Sequence, residues 1–233
     1  MSWLSRGTSN TDLIRQMQAF GAIKSERVAN VMREVDRGLF VPPSEDAYQD
    51  APQPIGFNAT ISAPHMHAHC LELLENHLKP GARALDVGSG TGYLTACMGL
   101  MVKDEGGKVV GVEHIKELTE KSKQNVHNSA AGPLLEQGVI ELHTGDGRKG
   151  WPPHALYDAI HVGAAAEDTP KELLNQLKPG GRLVCPVGNV LEQYLMVYDK
   201  ADDGSVREHT SSGVRYVPLT NEQDQRRPRG IFR

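Results

Sequence analysis

Residues 84–92 read Ala84-Leu85-Asp86-Val87-Gly88-Ser89-Gly90-Thr91-Gly92, and their order decides the fold. Four residues, apolar save for one carboxylate, make a short buried strand. Glycine at every second position then makes a turn. From Tyr93 a helix follows, with Leu94, Cys97, Leu100 and Met101 as its apolar stripe. A strand that runs through a tight turn into a helix is the first half of a parallel-sheet unit. Downstream the alternation repeats. Residues 108–113 form a second strand with its helix at 115–128, residues 139–143 a third, and residues 157–162 a fourth. A helix over 171–177, stopped by Lys178-Pro179-Gly180-Gly181, leads to a fifth strand at 182–187. Residues 192–198 and 214–219 read as two more strands, with Asp-Asp-Gly turn chemistry in 201–205 between them. Strands separated by single helices require a parallel sheet covered on both faces, and the last pair can add an antiparallel edge. The expectation is an α/β chain with a mostly parallel, seven-stranded sheet.

Upstream of residue 81 the pattern is different. Leu13, Ile14, Met17 and Phe20 recur at helical spacing, with Ser9 and Asp12 placed as a capping box. Val28, Val31, Met32 and Val35 mark a second helix. Between residues 40 and 64 the periodicity stops, because Pro42, Pro43, Pro52, Pro54 and Pro64 preclude a long regular element. A connection of that length is expected to be functional or disordered. Helix resumes near His67, carrying Cys70, Leu71, Leu74 and Leu78, and stops at Lys79-Pro80-Gly81. The whole chain of 233 residues reads as one domain, with residues 1–80 as N-terminal helices and loop packed on a sheet core of residues 81–233.

Composition narrows the class. Lys plus Arg number 25 and Asp plus Glu 29, a formal net charge of -4, which argues against a non-specific nucleic-acid binder. No stretch at the start has the apolar core of a secretory signal, and no run approaches the ~20 apolar residues of a membrane span. Cys70, Cys97 and Cys185 are odd in number, widely spaced and set among apolar residues, so they read as reduced core side chains. A soluble cytosolic protein is expected.

The glycine turn also suggests a ligand. It sits at the carboxyl end of a strand and the start of a helix, where open α/β sheets bind cofactors and where unpaired N–H groups favour an electron-rich partner. Gly-x-Gly-x-Gly is not the dinucleotide spacing Gly-x-Gly-x-x-Gly, and Asp86 just before the turn would repel a pyrophosphate. Without Gly-Lys-Ser/Thr the turn is not an NTP phosphate loop either. Glu113 closes the second strand, placed to accept from a ribose diol, and Asp146 in Thr144-Gly145-Asp146-Gly147 follows the third, placed to accept from a base amino group. Three acids at three strand ends suit a positively charged adenosyl cofactor, S-adenosylmethionine. Its sulfonium already activates the methyl group, so the protein needs positioning groups rather than a nucleophilic triad. Thr60, Ser62, His65 and His67 in the long loop supply hydroxyls and imidazoles for that, and His161 ends the fourth strand on the same side. Two histidines at i and i+2 with no nearby acid in sequence do not make a zinc site, and no metal is expected.

The chain resembles the protein-L-isoaspartate (D-aspartate) O-methyltransferases, in their eukaryotic cytosolic form more than the bacterial one. The resemblance rests on Ala59-Thr60-Ile61-Ser62-Ala63-Pro64-His65-Met66-His67, on residues 85–95, on Gly145-Asp146-Gly147, on residues 157–165 and on Leu177-Lys178-Pro179-Gly180-Gly181-Arg182. It implies a Rossmann-like class I methyltransferase fold with an altered order of the last strands and added N-terminal helices. It also implies methylation of isoaspartyl residues in aged proteins and peptides by a monomer that uses S-adenosylmethionine and yields S-adenosylhomocysteine, with no nucleic-acid or membrane partner. The family's catalytic serine falls at Ser62, and its substrate contacts at Ala59, Thr60, Ile61, Ser62 and His67. Cofactor contacts fall at Asp86, Gly88, Ser89, Gly90, Thr91, Gly92, Glu113, His114, Asp146 and Gly147, with Thr220 and Gln225 closing over from the C-terminal part. The basic stretch over residues 225–233 reads as a solvated end. A nucleic-acid amine methyltransferase would carry Asn/Asp-Pro-Pro-Tyr/Phe after the fourth strand, where this chain has His161-Val162-Gly163-Ala164.

Overall fold

Side chains alternate across the central strands, and that alternation divides the core into two layers. The structure, a computed structural model, describes residues 5–189 and 191–227. In chain order the elements begin with α1 (Asn10–Ala19), α2 (Glu26–Glu34), β1 (Gln53–Gly56), β2 (Ala59–Ile61) and α3 (Pro64–Leu74). The sheet unit follows with β3 (Arg83–Val87), α4 (Tyr93–Val102), β4 (Lys108–Glu113), α5 (Lys116–His127), α6 (Gly132–Glu136) and β5 (Ile140–Thr144). It continues through β6 (Tyr157–Val162), α7 (Lys171–Asn175), β7 (Leu177–Gly188), β8 (Gln193–Lys200), β9 (Val206–Val214) and α8 (Glu222–Arg226). Seven strands form one sheet in the order β5-β4-β3-β6-β7-β8-β9, and β1 with β2 forms a separate hairpin. The strands from β5 to β7 pair in parallel, while β8 and β9 join antiparallel. The expected α/β class and mixed, mostly parallel sheet are therefore observed.

Ala84, Val109, Ala159 and Val184 face one layer, packed with Leu13, Met17, Val28, Met32, Leu71, Leu74 and Met98 from the helices before and after β3. Leu85, Val87, Val110, Val112, Ile160 and Leu183 face the other, with Leu173 of α7. The N-terminal helices thus share an apolar layer with the sheet. Arg27 of α2 reinforces the joint by donating to the carbonyls of Glu75 (3.0 Å), Leu78 and Met101 (2.9 Å), so it caps the ends of two other helices. Ser9 caps α1 by accepting from the Asp12 N–H at 3.2 Å, but the Asp12 carboxylate accepts from Thr8 rather than Ser9, so the expected box closes one residue early. All three cysteines are buried and free.

Several boundaries differ from the sequence reading. The last strand is β9, at Val206–Val214, and not residues 214–219. Its residues are polar and mostly exposed because it is an edge strand, so no apolar alternation announces it. The apolar stretch that follows runs instead past the carboxyl ends of the strands, where Ala165 N–H donates to the Val217 carbonyl (2.8 Å) and Leu219 N–H to Ala165 (2.7 Å). The Lys178-Pro179-Gly180-Gly181 stop lies within β7, whose pairing with β6 shifts register there, and α7 ends at Asn175. The segment over 40–64 contains the short β1–β2 hairpin, turned by Phe57 and Asn58 at φ of 52° and 56°. Helix α6 carries no periodic signal at five residues. Residues 228–233, most of the basic stretch, and Val190 in the loop before β8 lie outside the described residues.

Candidate functional site

The chain leaves β3 toward β4 and β5 on one side and later returns to place β6 on the other. The crevice between β3 and β6 is therefore the switch point at which open sheets bind ligands. The glycine turn stands over it. Gly88, Gly90 and Gly92 all have positive φ (73°, 54° and 89°), a conformation costly for any residue with a Cβ. Gly88 and Ser89 N–H groups donate to the Val112 carbonyl at 2.8 and 3.2 Å, and Gly90 N–H donates to Glu113 Oε2 at 3.0 Å. Those N–H groups are thus spent inside the chain. A turn closed in this way is no phosphate cradle, which strengthens the rejection of a dinucleotide.

A cavity opens above the turn, lined by Gly88, Gly90, Glu113, His114, Gly147, Ala164 and the extended stretch Val217-Pro218-Leu219-Thr220, with Gln225 and Thr60. A second cavity adjoins it, lined by Thr60, Ile61, Ser62, His67, Asp86, Ser89, Thr91, Tyr93 and His161. Ile55, Thr60, Gly88, Gly90 and Gly163 belong to both, so the two spaces meet at the turn. The residues fit an adenosyl cofactor. Glu113 sits at the end of β4 with Oε1 held by Ile115 N–H (3.0 Å) and Oε2 by Gly90, leaving lone pairs for a diol. Ser89 Oγ and Thr91 Oγ1 are buried with no hydrogen-bond partner among the described residues, as polar groups awaiting a ligand would be. Among the described residues, no cluster of three or more His, Cys, Asp or Glu side chains could hold a metal.

Most of the expected residues converge here, but four do other work, His65 of the other wall among them. Gly92 lies outside both cavities, where its missing Cβ lets α4 start against Ser122 and Val126 of α5. The Asp146 carboxylate is turned to Arg148, accepting from Nε (2.9 Å) and Nη2 (2.7 Å), and these bonds hold its pKa below the usual range. Only its neighbour Gly147 reaches the cavity. Asp86 lines the second cavity, yet Oδ1 takes His161 Nδ1 at 2.8 Å and Oδ2 takes the Thr95 hydroxyl at 2.6 Å. The pairing follows from register, since Asp86 and His161 are opposite one another on β3 and β6. Burial opposes the charged imidazole, but the bond to Asp86, with Cys70 nearby, outweighs it and pushes the His161 pKa up to about 10. A buried ion pair, not a free carboxylate, is the floor of the site.

The other wall is assembled from distant segments. Ser62 follows β2, and His67 lies on the first turns of α3. Pro64 begins α3, and the Asp50 side chain satisfies its first turn, accepting from His65 N–H (3.0 Å) and paired with His65 Nδ1 (2.8 Å). His65 therefore serves the helix start. Arg37, which no motif singles out, is 1% exposed and spans the wall. It donates to the carbonyls of Ala47 (3.0 Å) and Ser62 (2.8 Å), meets His67 Nδ1 at 3.3 Å and lies 5.7 Å over the Tyr93 ring. Burial pulls its pKa down to about 10 and pulls that of His67 far below its usual value, the latter with help from Arg37, His161 and His65. From the C-terminal side, Gln225 donates to the Phe57 carbonyl (3.0 Å), and Asn58 donates to those of Gln225 (2.8 Å) and Arg227 (3.0 Å). Arg226 stacks on Phe57 and pairs with Glu117. The start of the basic stretch therefore clasps the hairpin tip, while the Arg226 and Arg227 side chains stay exposed.

The profile of the protein-L-isoaspartate(D-aspartate) O-methyltransferase family matches residues 8–224. Protein-L-isoaspartate O-methyltransferase 1 of Arabidopsis thaliana is 56% identical over 218 residues, 94% of each chain. The Caenorhabditis elegans protein-L-isoaspartate O-methyltransferase is 47% identical over 97% of this chain and 98% of its own. A Plasmodium falciparum structure assigned to the same enzymes, solved in complex with S-adenosyl-L-homocysteine, superposes with a TM-score of 0.84 at 34% identity, covering 91% of this chain and 99% of that one. The chain belongs to this family of class I methyltransferases.

Proposed function

We propose that this family member transfers the methyl group of S-adenosylmethionine to the free α-carboxylate of L-isoaspartyl residues, and more weakly to D-aspartyl carboxylates, in damaged proteins and peptides. The observation that carries the reading is the junction of the two cavities at the glycine turn, with Glu113 on one side and Ser62, Thr60 and His67 on the other. The bound cofactor supplies an electrophilic methyl on a sulfonium, and its departure leaves a neutral thioether. Everything else falls to the chain. A carboxylate is ionised near neutral pH, with a reference pKa of ~4, so no general base is needed. The Ser62 and Thr60 hydroxyls and the His67 imidazole orient its oxygens, and the clasp of Gln225 and Asn58 keeps water from the junction. An isoaspartyl link routes the main chain through the side-chain carbonyl, so the carboxylate offered to Ser62 sits on the α-carbon. An ordinary aspartyl residue presents its own at a different angle.

The ester then cyclises in solution. The next backbone nitrogen attacks its carbonyl, methanol leaves, and hydrolysis of the succinimide returns part of the product as normal aspartate. The same reading makes the protein a monomeric cytosolic repair enzyme of the eukaryotic form, which the likeness to plant and nematode proteins supports. Tandem mass spectrometry of a methylated isoaspartyl peptide tests it. The methyl is expected on the α-carboxylate, followed by a succinimide with release of methanol; a methyl on any other group would overturn the assignment.

A further inference from the structure

We infer that Arg37 is a positioning residue of the methyl-accepting site, whose donor-only guanidinium fixes His67 as the tautomer protonated at Nε2 and holds the Ser62 carbonyl in place. The inference rests on the proposed role of Ser62 and His67 toward a carboxylate. A guanidinium has five N–H donors and no acceptor, so the contact between Arg37 Nη1 and His67 Nδ1, at 3.3 Å, is satisfied only if Nδ1 is bare. The ring proton of the neutral imidazole then lies on Nε2, at the opposite side of the ring, which no group bonds among the described residues. His67 lines the same cavity as Ser62 and Thr60. The imidazole therefore brings a hydrogen-bond donor to the space where a carboxylate must be aimed.

Its surroundings keep that state. His67 is almost fully buried, faces Arg37, His161 and His65, and packs on the Tyr93 ring at 5.0 Å. Two of those neighbours carry positive charge, so a second ring proton is opposed from more than one side. The other arm of the fork, Nη2, holds the Ser62 carbonyl at 2.8 Å, which fixes the backbone that carries the hydroxyl. One buried side chain thus sets the proton of one substrate-facing group and the backbone of the other. Arg37 has no carboxylate within salt-bridge distance among the described residues, and a polar anchor of this kind is costly to bury unless its bonds are all made.

The test is the imidazole ¹⁵N spectrum of the protein at neutral pH, with S-adenosylhomocysteine as the probe ligand. A neutral His67 with unprotonated Nδ1 and protonated Nε2 is expected. An Nδ1-protonated ring or an imidazolium would overturn the inference, and neither result depends on substrate. In Arg37→Met, turnover on an isoaspartyl peptide is expected to fall about 100-fold, the scale of a misplaced reacting group. His67 is expected to lose its single tautomer while affinity for S-adenosylhomocysteine stays within about twofold. Full turnover, or an unchanged His67 tautomer, would overturn it. Should the variant not fold, the wild-type spectrum decides alone. Failure of the wild-type enzyme to methylate any isoaspartyl peptide would instead sink the proposed function, without touching the tautomer.

Discussion

The two walls of the site are built in opposite ways. The cofactor wall comes from one continuous motif and the strand ends beside it: Gly88 to Thr91 follow β3, Glu113 ends β4, and Gly147 follows β5. The turn is bonded to the end of the adjacent strand β4, to the Val112 carbonyl and the Glu113 carboxylate, so geometry is inherited from the sheet. The acceptor wall gathers Arg37, Ser62 and His67 with the hairpin tip at Phe57 and Asn58, and the clasp reaches it from residues about 168 positions away. Local motif and long-range assembly therefore share one function. Damage to the first should show as lost cofactor affinity, and damage to the second as lost turnover or closure.

Their common floor should show the largest effect. His161→Ala leaves the Asp86 carboxylate buried at 1% exposure without its cationic partner, a change that costs roughly 3–5 kcal/mol. Chemical denaturation measures it. The sign with pH follows from the raised His161 pKa of about 10. The pair contributes its full stability below the unfolded value of ~6.5 and loses it as pH rises toward 10. Wild type should weaken over that window, and the variant should not share that part of the loss.

On the cofactor wall, Gly90→Val combines a φ of +54° with a Cβ only 3.2 Å from Ile55 Cδ1. Calorimetry should show cofactor affinity reduced about 100-fold, since left-handed strain of ~1–2 kcal/mol adds to lost space. On the acceptor wall, Ser62→Ala should lower turnover by about 10- to 100-fold, the worth of a hydrogen bond to a charged group, with cofactor affinity nearly unchanged. An equal loss in both would erase the distinction between the walls. The smallest effect belongs to the clasp, which spans both walls because Gln225 also lines the cofactor cavity. Gln225→Ala removes one exposed bond to the Phe57 carbonyl and should weaken cofactor binding about 3- to 10-fold, with little change in thermal midpoint.

The contrast also explains what could be read from the sequence. The glycine turn, the strand ends and the helices of α/β crossovers carry short-range signals, so Glu113 and the succession of parallel strands up to β7 are legible from spacing. Ser62 and His67 stand out only as polar groups of the long loop, and resemblance to a family loop gives them their roles, because hydroxyls and imidazoles among prolines have no periodicity to place them. Arg37 was invisible: an arginine after a helix ordinarily faces water, and only the fold shows its guanidinium enclosed by Ala47, Ser62 and His67. Asp146 and Asp86 show the converse, since residues at the right strand ends were already engaged by Arg148 and by His161, partners set by a local turn and by sheet register. β9 escaped because an exposed edge needs no apolar face.

Methyl transfer from labelled S-adenosylmethionine to a peptide containing one isoaspartyl residue, against the same peptide with ordinary aspartate, bears most directly on a site that aims an α-carboxylate at the glycine turn. The geometry predicts label in the isoaspartyl peptide alone, as a base-labile ester. Equal labelling of both peptides, or of neither, would contradict it.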